Sequence, residues 1–462
     1  MIGKLRAFTL GALLLATGCV SRTSGIDSAR AEVKTRSGMA LPWSGEGNPD
    51  DKLVRDILAK PLTADGAARV ALWNNADVQA ALDDVGIARA AVVAALALPN
   101  PRAGLAVHLH SDGDTDLDMD LTIDIVDLFL LPAREAPASA GLEASALEAA
   151  GFALDIAFEA RVAFYEHQAA AQKLELRKTV LFAAAQSSDI AQRLVDAGNV
   201  PVLEGLAERA LYEEARVGVA QAEVDAVTAR ERLNAAMGLF GERGTKWTSA
   251  ERLAEPTSFD DTKLESRAVA ANLDLRSLEK RYTAASGRAD LAWAEGLIPD
   301  IEAGVGAERD DGEWGFGPVI GVSLPLFYQG QGRVDAAEAE ARAAKHRHEA
   351  VATRVRATAR SATTRLRTAK DNAAFYKNNL LPLREKLVDE TLLQYNAMNT
   401  GPLQLLTAKR DQIDTAAVYV DVLREYWTAR AEAEALLMGR APSVSRARSA
   451  AVPSSRRSGD AH

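Results

Sequence analysis

The chain has 462 residues, 48% of them apolar but only 5% aromatic, and a formal net charge of −10 at pH 7. Few aromatics beside abundant alanine suit closely packed helices better than a bulky globular core, and the negative balance offers no basic face for nucleic acid. The one cysteine, Cys19, excludes an intramolecular disulfide.

Met1–Cys19 opens with Lys4 and Arg6, continues through an apolar run from Leu10 to Ala16, and ends on Gly18 and Cys19. That is the form of a secretory signal, so residues 1–18 are set apart from fold reasoning. The segment resembles a bacterial lipoprotein signal, which implies that Cys19 is lipidated and becomes the mature N-terminus. Residues 19–62 are then a lipid anchor and N-terminal tether. Ser21–Pro49, rich in Gly, Ser and charge with Pro42 and Pro49, predicts an extended linker. Past the leader, no stretch approaches the ~20 apolar residues of a membrane-spanning helix, so any membrane crossing must be made by strands.

Residues 63–240 read as a first structural unit. A helix is predicted over Thr63–Leu98, with Val70, Leu72, Val78, Leu82 and Val85 among its apolar positions and Pro99 and Pro101 as its stop. The period then changes. Leu105, Val107 and Leu109 alternate with Ala106, His108 and His110; after the polar turn Ser111–Asp114, Leu117, Met119, Leu121, Ile123 and Ile125 alternate with Asp118, Asp120, Thr122 and Asp124. This predicts a two-stranded hairpin with one apolar and one acidic face. A helix from Arg134 to Ala197 follows, on the order of 90 Å long at 1.5 Å per residue. The chain turns at Asp196–Pro201 and comes back with Leu203, Leu206, Ala210, Val217 and Ala220 in coiled-coil phase.

Residues 241–263 join this unit to a second, 264–440, that repeats it. Asn75-Ala76-Asp77-Val78 is answered by Asn272-Leu273-Asp274-Leu275, and Leu98-Pro99-Asn100-Pro101-Arg102-Ala103-Gly104-Leu105 by Ile298-Pro299-Asp300-Ile301-Glu302-Ala303-Gly304-Val305. Ala207-Glu208-Arg209 has its counterpart in Ala408-Lys409-Arg410. The period is too long for a small solenoid repeat, so one helix-strand-strand-helix unit has been duplicated. The second hairpin sets Ile301, Ala303 and Val305 against Glu302, Gly304, Gly306 and Glu308, then Trp314, Phe316, Ile320 and Val322 against Gly315, Gly317 and Gly321. Its long helix, Val334–Asn396, carries Pro382, which should kink or break it. A tip at Asn399–Pro402 and a returning helix complete the copy, and residues 441–462 predict a disordered tail.

Four amphipathic strands cannot close a barrel, and an open sheet edge in hydrocarbon costs several kcal/mol per unpaired backbone group. The chain must therefore assemble, and three copies would supply about a dozen strands around an open lumen. Asp118, Asp120, Asp124, Glu302 and Glu308 would line that lumen, between glycines that leave the wall bare. An acidic wall favours cations and disfavours polyanions. Phe129, Phe327 and Tyr328, at the strand ends, fit an interfacial girdle.

Asn75-Ala76-Asp77-Val78, the strand end Gly321-Val322-Ser323-Leu324-Pro325-Leu326-Phe327 with Gln329-Gly330-Gln331-Gly332-Arg333, and Ala197-Gly198 ahead of Val202-Leu203-Glu204 resemble the TolC-like outer-membrane efflux proteins. The resemblance runs through both copies. It implies a mainly α fold with a small antiparallel β part: a homotrimer whose four strands per chain complete a 12-stranded barrel in outer-membrane lipid, set on a long periplasmic α-helical barrel. It further implies docking on an inner-membrane pump through a periplasmic adaptor protein, with passive transport in this component. The family closes its tunnel near the hairpin tips with polar and acidic groups. Glu204 stands where the family usually has Asp; Gln404 departs from the acid expected in the second copy. By position in the tips alone, Arg193, Leu194, Gly198, Asn199, Met398, Asn399 and Gly401 are the expected adaptor contacts.

No catalytic constellation is present, so an enzyme and a cofactor are not expected. His108 and His110 share a strand face but lack a third ligand, and His346 and His348, two apart on a helix, point away from each other. The sequence implies an efflux conduit for small toxic compounds or metal ions, anchored at the outer membrane with a periplasmic extension. The outlet of a type I protein-secretion system and a non-conducting periplasmic scaffold lipoprotein remain as alternatives.

Overall fold

The computed structural model describes residues 21–46, 51–109, 115–249, 252–310, 313–324 and 326–442. The signal segment, Cys19, the first hairpin turn at 110–114 and tail residues 443–462 lie outside them. The chain opens with α1 (Ile26–Ser37), α2 (Asp51–Leu58), α3 (Ala64–Asn74) and α4 (Ala76–Ala95). Strands β1 (Arg102–Leu109) and β2 (Thr115–Asp124) lead into α5 (Ile125–Asp196) and α6 (Val202–Ala236), with a short α7 (Glu242–Thr245) in the joining segment. The second copy supplies α8 (Leu264–Ala271), α9 (Leu273–Leu297), β3 (Asp300–Asp310), β4 (Glu313–Ser323), α10 (Gln331–Phe375), α11 (Leu381–Asn396) and α12 (Pro402–Leu437). None of the described helices is long and apolar enough to cross a membrane.

The chain folds as two compact units, each drawing on both copies of the repeat. The first takes the described residues up to Thr35 with Ala80–Ala150 and Leu273–Thr353. It holds one four-stranded antiparallel sheet in the order β1-β2-β3-β4, so the two hairpins lie side by side with β2 against β3. Two expectations are corrected here. The linker expected to be extended contains α1, because Ile26, Ala29 and Val33 fall on one helical face and are fully buried. That stripe is diluted by the charged and small residues around it, which is why composition hides it. The helix expected from Arg134 starts at Ile125, directly after β2, with Pro132 and Pro137 inside it. Asp124 makes the early start possible: its Oδ1 accepts the backbone N–H of Asp127 at 3.1 Å and caps the new helix.

The second unit comprises Arg36–Gln79, Gly151–Asn272 and the described residues from Arg354 onward. Its core is thin, as alanine-rich helices require: Ala160, Ala359, Ala362 and Ala433 are completely buried, beside Leu233, Leu436 and Tyr426. The single helix expected over Thr63–Leu98 is broken in two at Asn75, whose backbone is extended (φ −75°, ψ 123°). The repeat motif explains the break. Asn75 Oδ1 accepts the N–H of Asp77 at 2.8 Å, restarting a helix, while its Nδ2 donates to the Ala236 carbonyl at the end of α6. Asn272 does the equivalent thing between α8 and α9, extended at φ −65° and ψ 124°, with Nδ2 donating to the Gly439 carbonyl just past α12. Each copy is thus clasped, start to finish, by one buried asparagine.

Pro382 acts where the sequence places it. It lacks the N–H that an α-helix needs there, and the preceding turn widens to a π segment, Tyr376–Leu380, in which the Leu381 N–H reaches back to the Tyr376 carbonyl. The joining segment is anchored by Trp247, which is 2% exposed and donates from Nε1 to Asn234 Oδ1 at 2.8 Å. The Arg230 guanidinium lies 4.1 Å over its ring and donates to the carbonyls of Gly244, Thr245 and Trp247. His167 packs edge-on against the same indole, with ring centroids 5.1 Å apart.

Replacing Asn75 with Ala removes a cap and a buried donor at once, and replacing Asn272 with Ala removes a buried donor; each should cost about 1–2 kcal/mol. An unchanged helix-melting midpoint in circular dichroism would remove the clasp from this account. The His167 imidazole is pushed down to about 4, first by burial and then by Arg230. An unfolded chain takes up this proton below its ordinary value of 6.5, whereas the folded chain refuses it down to about 4. The contribution to stability is therefore whole above pH 6.5 and is lost as the pH falls toward 4, by up to roughly 3 kcal/mol. His167→Phe should flatten that part of a stability-against-pH curve.

Candidate functional site

Successive residues of a strand point to opposite faces of the sheet, so the register divides the hairpins into two sets. Arg102, Gly104, Ala106 and His108 of β1 pair in turn with Thr122, Asp120, Asp118 and Asp116 of β2. Asp118, Asp120, Thr122 and Asp124 then pair with Glu308, Gly306, Gly304 and Glu302 of β3, and these with Gly315, Gly317, Val319 and Gly321 of β4. All five carboxylates expected on a lumen wall, Asp118, Asp120, Asp124, Glu302 and Glu308, therefore share one face. Asp116, Asp300, Asp310 and Glu313 belong to the same face by the same parity, although the sequence reading left them out. The opposite face carries Leu105, Val107, Leu109, Leu117, Met119, Leu121, Val305, Phe316, Ile320 and Val322, with Arg309 the one charge among its described strand positions. Leu109 is 81% exposed, Phe316 81% and Ile320 71%, so none of the described residues covers these side chains.

The polar face is not uniformly free. His108 Nε2 lies 3.3 Å from Asp118 Oδ2. Arg102 reaches past Thr122 to pair with Glu302, and Thr122 Oγ1 donates to the other Glu302 oxygen at 3.5 Å. Arg102 is a functional residue that the sequence reading passed over, since it sits at the end of the proline stop rather than within the alternating run. Asp124 serves as the cap of α5. Next to that cap, Asp127 pairs with Arg134, and Glu295 takes Arg134 at 3.4 Å and Arg333 at 2.7 Å, tying α5, α9 and α10 together below the sheet.

Two of the glycines differ in kind. A Cβ on Gly304 would fall 1.9 Å from the Leu121 carbonyl oxygen, so glycine is demanded by the approach of β2, whereas Gly317 faces open space. The aromatics at the strand ends are bare: Phe327 is 97% exposed, and Phe129 and Tyr328 are exposed as well.

In the second unit, both helical hairpins end in turns of one geometry. At the first tip, Gly198 is left-handed (φ +72°) and the N–H of Asn199 returns to the Leu194 carbonyl at 2.9 Å. At the second, Met398 takes the same left-handed place (φ +58°), and Asn399 returns to Gln394 at 2.9 Å. Arg193 pairs with Asp189 at 2.7 Å, and Gly401 caps α12. Glu204 and Gln404 are both exposed on the first turns of α6 and α12. The hairpins are joined by Lys173–Asp421 at 3.0 Å, Arg177–Asp414 at 2.7 Å and Arg410–Glu214 at 3.7 Å. Glu208, a repeat-motif residue, is buried within the first hairpin and accepts from Ser187 Oγ at 2.7 Å.

No family model matches the sequence. The chain is 24% identical over 391 residues to the cobalt-zinc-cadmium resistance protein CzcC of Cupriavidus metallidurans, covering 82% of this chain and 90% of that protein. In three dimensions it is similar to CusC, described for its folding and transmembrane channel formation, with a TM-score of 0.66 and 16% identity over 86% of this chain and 94% of CusC. It is also similar to the outer membrane protein VceC of Vibrio cholerae, with a TM-score of 0.68 and 14% identity over 82% of this chain and 96% of VceC.

Gly304→Ala should break the β2–β3 pairing, while Gly317→Ala should be tolerated. Circular dichroism in the strand region and thermal unfolding in detergent distinguish the two; equal effects would mean that the approach of β2 does not require glycine.

Proposed function

We propose, for a chain that has the fold of the TolC-like outer-membrane channels, that it is the outer-membrane component of a tripartite efflux system. The observation that carries this reading is the four-stranded sheet with one face apolar and exposed and the other acidic. Such a sheet leaves β1 and β4 as open edges, and in hydrocarbon those edges must be paired by other copies. Three chains give about a dozen strands, a number that leaves an open lumen. The apolar face then meets lipid, with Phe129, Phe327 and Tyr328 at its border, and Cys19 carries the lipid anchor.

Asp118, Asp120, Asp124, Glu302 and Glu308 line the lumen. Cations are the cargo class that such a wall admits most readily, and the relative CzcC is a cobalt, zinc and cadmium resistance protein. Small toxic cations and divalent metal ions are accordingly the substrates assigned here. The exposed tips, with Arg193, Leu194, Gly198, Asn199, Met398, Asn399 and Gly401, receive a periplasmic adaptor that links the channel to an inner-membrane pump. Glu204 and Gln404 form the polar gate at that end, and energy comes from the pump because the chain itself only conducts.

Purified protein should be trimeric in detergent and conduct ions across a planar bilayer, and a deletion strain should become sensitive to cobalt, zinc or cadmium. A stable monomer in the absence of detergent would overturn the channel reading, and a sensitivity to anionic drugs alone would overturn the cargo class.

A further inference from the structure

The five carboxylates of the wall are distinguished by what holds them. Glu302 is held by Arg102 and Thr122, Asp118 is drawn to His108, and Asp124 accepts the N–H of Asp127. Among the described residues, Asp120 and Glu308 alone of the five make no ion pair or hydrogen bond. Asp120 differs again from Glu308 in its surroundings. The cross-strand row through it reads Gly104, Asp120, Gly306, Gly317, so no residue of that row carries a side chain beside it; on the β3 side the Val319 side chain leans over Gly306, and the β1 side is left bare. Its carboxylate leans over Gly104 so closely that a Cβ added there would meet Oδ1 at 2.0 Å. Glu308, by contrast, shares its row with Asp118 and Ala106.

We propose that Asp120 is the specificity-determining residue of the conduit, and that Gly104 is its positioning residue, the bare seat over which the carboxylate lies where a passing cation can reach it. The proposal rests on the channel reading above. A cation that comes within about 4 Å of a carboxylate in water gains about fivefold in local occupancy.

The test is the cation-to-anion permeability ratio of the full-length channel, taken from the reversal potential in a potassium chloride gradient near 0.1 M, where charges within about 10 Å are felt. The reversal potential does not depend on how often the tip is open. Asp120→Asn should lower the ratio severalfold and Asp120→Glu should retain it. Gly104→Ala, which changes no charge, should lower the ratio in the same direction as Asp120→Asn, and should add nothing when Asp120 is already Asn. The proposal is overturned if Asp118→Asn lowers the ratio as far as Asp120→Asn, or if Gly104→Ala acts equally in both backgrounds, since it would then narrow the lumen without moving a charge. Wild-type protein that forms trimers but never conducts overturns the channel reading itself, and this assignment with it.

Discussion

A backbone amide that leaves water for hydrocarbon must find a partner, and a sheet of four strands leaves two full edges without one. That shortfall governs the rest of the molecule. On the channel reading it requires copies of the chain to meet edge to edge, one sheet face to meet lipid and the opposite face to enclose whatever the assembly conducts. The long helices cannot answer the requirement, since none of the described helices is long and apolar enough to cross a membrane. The sheet can answer it only because alternation is kept without a slip: a shift of one residue would carry nine carboxylates into lipid, as the parity of Asp116, Asp118, Asp120, Asp124, Asp300, Glu302, Glu308, Asp310 and Glu313 makes plain.

The helical part rests on a different economy. Alanine brings helices close without adding much apolar area, so the packing needs reinforcement from polar groups placed with care. Arg440 grips Asp155 through two hydrogen bonds of 2.9 and 2.6 Å, Arg365 meets the buried Glu432 at 2.5 Å, and Arg36 donates to the carbonyls of Ala271 and Met438. Desolvation raises the Glu432 carboxyl above its ordinary range, and Arg365 opposes that rise without cancelling it. Trp247 does similar service in the joining segment, where one indole gathers Arg230, Asn234 and His167 around itself.

Much of this was legible in the residues alone. Period-two alternation gave each strand to within a few positions, because a two-faced sheet writes its pattern directly into the chain. The duplication gave the order of elements, and Pro382 marked its irregular turn. What could not be read were decisions made by single side chains against distant backbone. Nothing local in Thr63–Leu98 says that Asn75 should stop a helix, for its reason lies at Ala236. The start of α5 at Ile125 depends on Asp124 acting as a cap, which an alternating pattern counts as one more strand residue. The pairing of Arg102 with Glu302 crosses an intervening strand, and no spacing along the sequence announces it.

The asparagine clasps bear on how the two halves have drifted. Each fastens the beginning of its own copy to the end of the same copy. The second differs from the first in a π turn, a left-handed methionine where the first has glycine, and a glutamine opposite the first half's glutamate. On the channel reading a ring of three such chains is sixfold only in outline, because the two tips within every copy differ.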